Sequence, residues 1–335
     1  MQLEAHGLPI HTRTLSVTLL PTDGRDVEFA AYVLDLRKRG VVPVAGDLQG
    51  TGIIHHMELA GTVDPRARSI TRVTARMPTV AFEASAASAG ESCRDLVGRV
   101  DNLAGTTLDA GYARQLGAEI GGARGCSHVL TLSQLLGPTV AWALDEDLRL
   151  QGADPRRRPG ERIFRRDVTV DGYEQDGDLY LTLQMNDLHF APVATGAPAS
   201  DRFAAQLEVR VAARLVMAEM SVVAIEIGER RRDARSLESA TWRARPERSA
   251  PLVGASLRSG ISGALIRQFA DPGDDRPLLD ALLMLAPATI QCMASFIDTW
   301  TQVPSMGGAA SETGGYPDSC YMWRRDGALG RKRFA

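Results

Sequence analysis

The sequence predicts an α+β protein made of two repeated ββββαα units, each an antiparallel sheet with one face covered by helices, packed as a pseudo-dimer. Three observations predict it. Stretches of alternating apolar and polar residues flank Asp-Gly pairs, the mark of antiparallel hairpins. The same ordered set of markers occurs twice along the chain. Each set closes with apolar residues at helical spacing, which supplies a cover for the sheet.

The first two strands of each unit are the clearest. Residues 13–36, RTLSVTLLPTDGRDVEFAAYVLDL, return as 166–188, RDVTVDGYEQDGDLYLTLQMNDL, with one residue deleted. Arg13 falls on Arg166, Asp23-Gly24 on Asp176-Gly177, and Asp35-Leu36 on Asp187-Leu188. Further on, HHMELAGTV (55–63) corresponds to AQLEVRVAA (205–213), ITRVTARM to VMAEMSVV, and LVG (96–98) to LVG (252–254). In the first unit DPRARS joins the third and fourth strands, and helices are expected over about 91–121 and 127–144. Finally LSQLLGPTVAWAL resembles ALLMLAPATIQCM. The resulting layout is a first repeat over 1–148, a linker over 149–160, a degenerate repeat over 161–302 and a tail over 303–335 that docks on the body.

Composition narrows the functions. Of 335 residues 44% are hydrophobic and 24% charged, which is ordinary for a globular chain. The net charge of −3 argues against a nucleic-acid partner and against a polybasic membrane anchor. No apolar run reaches the ~20 residues of a membrane span. The start, MQLEAHGLPIHTR, lacks a signal-peptide pattern, and the four cysteines form no CxxC, so a cytoplasmic chain with free thiols is expected. Walker A and GxGxxG loops are absent, and no cofactor is expected.

Folding the first hairpin about its Asp-Gly turn sets Arg13 opposite Asp35, Leu15 opposite Val33 and Val17 opposite Ala31. In the second unit Arg166 meets Asp187 and Val168 meets Met185. Both ion pairs share parity with apolar neighbours, so both face the core, where charges persist only when paired. In GIIHHMELAGTV (52–63), Ile53, His55, Met57, Leu59 and Val63 share one face, which makes His55 the core-side histidine and leaves His56 on the polar side. His11 shares the face of Arg13. His11, Arg13, Asp35 and His55 therefore converge, whereas the second unit offers Phe164, Arg166, Asp187 and about Ala205. The frame persists and the histidines vanish. That contrast points to chemistry in the first unit, although a satisfied structural histidine reads equally well.

A second segment, GGARGCSHVLTL (121–132), ends one helix and begins another, with Ser127 as N-cap. Cys126 and His128 would then sit at a helix N-terminus, where positive potential favours a thiolate and bound anions. Three readings stay open: a Cys126 nucleophile with His128 as base, a metal held with His55, or packing and capping.

The strings IHTR, LDL, IHHM, GG..GCSH and the closing PDSCYMW..DG together resemble the DUF2889 family, whose members carry a similar IHDM segment and a GCTHL segment. His55 sits on the histidine of the first motif, and His56 replaces its aspartate. Cys126 and His128 sit on the Cys and His of the second, while Asp318 and Cys320 match the closing motif. The resemblance covers 8–145 and 316–327 and implies no reaction. More remotely, the order of elements around LGAEIGGARGCS is similar to the NifU/SufE-like fold, with Cys126 on one cluster-ligand cysteine and the other ligands lacking counterparts.

These readings lead to a cofactor-independent acid–base enzyme. The expected reaction is carbon–carbon lysis, by decarboxylation or retro-aldol loss of a small aldehyde, on a small substrate of the aromatic, lignin-derived type. His55 serves as general base or acid, Asp35 orients it, Arg13 meets an anionic group and His11 shuttles protons. His128, Cys126, Tyr321 and Trp323 line the substrate. Two alternatives are a non-catalytic module for a small molecule or protein, and a metal-dependent hydrolase or lyase using His55, His128 and Cys126. A homo-oligomer is compatible with either.

Overall fold

The computed structural model describes residues 5, 7–44, 47–153, 155, 157–192, 202–217, 220–233, 240–256, 260–293 and 316–334, with the side chains of 42–48 and 333–334 excepted. The first part of the predicted tail (303–315) and the end of the second repeat (294–302) lie outside these residues. Eleven strands are present among them: β1 (Leu8–Pro21), β2 (Val27–Arg37), β3 (Val42–Val44), β4 (Asp47–Gln49), β5 (Gly52–Asp64), β6 (Ser69–Thr79), β7 (Phe164–Gln175), β8 (Asp178–Phe190), β9 (Phe203–Val216), β10 (Ser221–Asp233) and β11 (Arg243–Ala244). Nine of them form one antiparallel sheet in the order β11-β10-β9-β8-β7-β1-β2-β5-β6, and β3–β4 is a separate small hairpin.

The two sets of four strands are thus joined along β1 and β7. Leu15 lies opposite Val168, Arg13 opposite Val170 and Val17 opposite Arg166. Exchanging the two halves about the Leu15–Val168 pair leaves this register unchanged. The expected hairpin pairs hold in both halves, Arg13–Asp35 and Arg166–Asp187 included. The turns themselves differ. Asp176 and Gly177 both have positive φ, 55° and 83°, which suits a two-residue turn between twisted strands. The first half instead closes a longer loop, with the Thr22 amide donating to Asp26.

Two register expectations need correction. A bulge between Asp35 and Leu36 inserts Ile54 into β5, so Ile54 is buried and Ile53 is 51% exposed, the reverse of simple alternation. In the second half Asp187 faces Leu207, so Leu207 and not Ala205 holds the place of His55. The stretch matched to ITRVTARM (216–223) covers the end of β9 and the start of the fourth strand there, which begins at Ser221.

Helices α1 (Tyr112–Ile120), α2 (Ser127–Gln151), α3 (Pro246–Ser249), α4 (Ile261–Gln268), α5 (Arg276–Leu283) and α6 (Leu285–Met293) follow in order along the chain. The stretch expected as one helix over 91–121 is instead a 3-10 segment, Cys93–Leu103, followed by α1. Gly105, at φ 85°, breaks it, and the chain returns to the sheet edge through Thr106 before Asp109 caps Gly111. The apolar face of α2 packs on β1, β2 and β5, while α5 and α6 pack across β7, β8 and β1. Leu15, Phe29, Met57, Leu132, Phe164, Leu183 and Leu285 lie in one continuous core beneath both helix sets. A closing helix, Ala328–Phe334, takes in residues 330–334 of the terminal GRKRFA, which by sequence is expected to fray.

Candidate active site

Asp35 on β2 is fully buried beneath α2 and stands at the centre of a basic cluster. Arg13 on β1 grips it with both hydrogen bonds of a fork, Nε to Oδ1 and Nη2 to Oδ2, each 2.8 Å. Three imidazoles approach from three further directions. His11 Nε2 lies 3.4 Å from Oδ1, while His55 Nδ1 and His128 Nε2 each lie 3.4 Å from Oδ2. These separations are long for hydrogen bonds, and none of the three facing nitrogens has a hydrogen-bond partner among the described residues. The rings of His55 and His128 stack, with centroids 3.7 Å apart and planes tilted by 33°.

Period-two geometry places this cluster. His11 and Arg13 share a face of β1, Asp35 pairs with Arg13, and β5 pairs with β2 so that His55 faces Asp35. His128 enters from above, in the first turn of α2. Sequence reasoning placed it near the substrate; the fold places it against Asp35 itself.

Electrostatics sort the groups. Burial alone would raise the Asp35 carboxyl, but the Arg13 charge and the neighbouring His55 outweigh it and hold the group well below the usual carboxylate range. Burial, with Arg13 and His55 adding to it, holds His128 well below the ordinary histidine value. Burial likewise pushes His11 down to about 4 against the pull of Asp35. Both are neutral imidazoles at neutral pH.

Burial works against a resting thiolate at Cys126. Cys126 itself, not Ser127, is the N-cap of α2. Burial pushes its thiol up to about 11, overriding the helix terminus. Its Sγ lies 3.8 Å from His128 Nδ1, the nitrogen turned away from Asp35. An ion at His128 Nε2 therefore could not also take Cys126. The donor atoms that do converge, within 4.8 Å of one another, belong to Asp35, His55 and His128.

His55, His128 and Arg13 line a cavity of about 1620 Å³. Its walls are largely apolar and come from both halves, including Tyr112, Trp142, Phe269 and Pro287. Cys126, Tyr321 and Trp323 also face it, whereas His11 lies behind Asp35. The segment carrying Tyr321 and Trp323 is fastened to the first half. The Tyr321 amide donates to the Gly125 carbonyl over 2.8 Å, and Trp323 packs edge-on to Phe82 at 5.4 Å. Gln291 of α6 reaches His128 from the second half, a contribution with no signal in the sequence.

The second half closes the corresponding place. Arg166 forks onto Asp187 with the same atoms, Nε to Oδ1 and Nη2 to Oδ2, each 2.7 Å. Its Nη1 donates to Thr139 at 2.7 Å and to Asp280 at 2.6 Å, and Arg276 completes the network on Asp280. Phe164 stands where His11 stands in the first half.

Residues 11–142 match the model of a family described as a protein of unknown function, DUF2889. The matched segment contains His11, Arg13, Asp35, His55, Cys126 and His128, and ends within α2. No curated protein and no solved structure matches the chain, the iron–sulfur scaffold type included. Among the described residues no helix is long and apolar enough to cross a membrane.

Proposed function

We propose that the first half carries a cofactor-independent acid–base centre that breaks a carbon–carbon bond in a small aromatic substrate. One observation carries this reading: the stacked His55 and His128 share one buried carboxylate oxygen and face a large, mainly apolar cavity. An imidazole oriented by a carboxylate is suited to proton transfer. An apolar cavity with a few convergent polar groups is the usual form of a small-molecule site. The β1–β7 seam, unchanged by exchange of the halves, supports a duplicated origin in which one copy kept the imidazoles and the other filled their place.

In the retro-aldol form, His55 takes the proton of a β-hydroxyl group, the carbon–carbon bond breaks, and a small aldehyde leaves. The bonding electrons pass to the conjugated remainder as an enolate, which Arg13 stabilises and the imidazolium then protonates. In decarboxylation no proton is removed first: carbon dioxide leaves from the substrate carboxylate, the bonding electrons pass to the conjugated remainder beside Arg13, and a protonated His55 delivers the proton that takes its place. The test is a panel of aromatic β-hydroxy and carboxylated compounds, with aldehyde and carbon dioxide release measured for wild type and His55→Gln. Wild type is expected to consume a member of the panel, and His55→Gln to lose ~10²-fold or more in rate. A folded wild type that binds aromatics yet consumes none is a binding module instead.

The convergence of Asp35, His55 and His128 donor atoms within 4.8 Å favours a second reading. Two imidazoles and a carboxylate suit a zinc-class ion with a position open to substrate. Turnover that survives chelation keeps the acid–base reading. Turnover lost to chelation and restored by zinc replaces it.

A further inference from the structure

The two Arg–Asp forks are superposable in their bonding but differ at one atom. In the second half, Arg166 Nη1 is occupied by the Asp280 carboxylate at 2.6 Å and the Thr139 hydroxyl at 2.7 Å. In the first half, nothing among the described residues accepts a hydrogen bond from Arg13 Nη1, although Arg13 is only 2% exposed and borders the cavity. Aligning LSQLLGPTV with ALLMLAPAT places Thr131 where Asp280 stands, one turn into the sheet-facing side of its helix. The Thr131 hydroxyl turns back to the Ser127 carbonyl of α2 at 2.8 Å and does not replace the carboxylate. Because Arg13 borders the cavity, a bound group can answer this donor.

We infer that Arg13 Nη1 is an anion subsite, and that an anionic oxygen of the substrate, carboxylate or phenolate, takes the place that Asp280 takes in the second half. The inference rests on the acid–base reading for its substrate and fixes where the anionic group expected at Arg13 binds: at Nη1, as the counterpart of Asp280 on Arg166. That oxygen is seated beside Arg13, on the same cavity wall as His55 and His128. The fork to Asp35 fixes the guanidinium plane, so Nη1 is aimed before the ligand arrives.

The test uses the full chain and calorimetry, with benzoate and 4-nitrophenolate as anionic probes and benzamide and nitrobenzene as neutral ones. Wild type is expected to bind at least one anion about tenfold or more tightly than its neutral counterpart, as a charge-assisted hydrogen bond requires. Thr131→Asp should install the internal carboxylate, abolish that preference and leave the melting temperature unreduced. Thr131→Asn, similar in size and uncharged, should keep the preference. Absence of any anion preference in wild type, or its survival in folded Thr131→Asp, overturns the inference. Should Thr131→Asp not fold, the wild-type and Thr131→Asn measurements still decide. Binding is read without turnover, so an anion subsite that fails leaves the His55→Gln result standing, and the converse holds.

Discussion

His189 lies between Trp142 and Phe164, with ring centroids 5.1 and 4.8 Å away and neither nitrogen bonded among the described residues. Burial, opposed by Glu146 and aided by Arg166, pushes it from 6.5 down to about 4. The unfolded chain therefore takes up this proton first. The stability it contributes is full above about pH 6.5, falls as the pH drops, and is lost by about 4, a few kcal/mol in all. His189→Phe, which keeps the ring stack, should flatten that part of the acid limb in a series of melting curves from pH 7 to 4. An unchanged slope would show that the group titrates normally. Asp35 is a harsher case. Asp35→Ala leaves Arg13 buried and unpaired, and should cost about 3–5 kcal/mol in urea unfolding. At this scale the sequence was legible where parity and pairing decide: Arg13, Asp35 and His55 meet as their strand positions require. His128 was legible as a motif but not as a neighbour of Asp35, because the angle at which a helix crosses a sheet is not written in its own periodicity.

Elements show a sharper division. The hairpins follow from alternation and Asp-Gly turns, and α2 from apolar spacing, although it runs on to Gln151, past the expected end at 144. The 91–121 stretch misled because its spacing is helical while its glycines and Asp109 favour a broken path. Bulges are a second blind spot: one inserted residue at Ile54 reverses which isoleucine is buried, and alternation cannot announce it. Where α2 meets α1, Gly137 admits the Tyr112 ring, and a Cβ there would stand 2.3 Å from Tyr112 Cε1. Alanine favours a helix interior by up to ~1 kcal/mol, but overpacking costs ~1–3 kcal/mol. Gly137→Ala should therefore lower stability and loosen the Tyr112 hydroxyl from the Ser133 carbonyl, now 2.9 Å away. A gain in urea midpoint would contradict this packing.

For the whole molecule, one sheet and one core run through both halves across the β1–β7 seam. Unfolding should accordingly appear in scanning calorimetry as a single transition, with calorimetric and van't Hoff enthalpies in agreement; two separated transitions would mean that the seam does not couple the halves. The cavity has the same joint character, since walls from α2 and α4–α6 enclose it together. The sequence by itself determined the fold class, the strand pairs within each hairpin and the ion pair at the heart of each half. Those depend on residues a few positions apart and on the period of a strand. Only the tertiary structure decided that the halves share one sheet, that His128 closes on the Asp35 carboxylate with Gln291 of the other half beside it, and that Arg166 is satisfied by Asp280 while Arg13 borders the cavity. Such contacts join segments more than 100 residues apart in places, as Arg166 and Asp280 are by 114. They are set by how helices settle on a twisted sheet, a balance of packing across the entire core that no local pattern encodes.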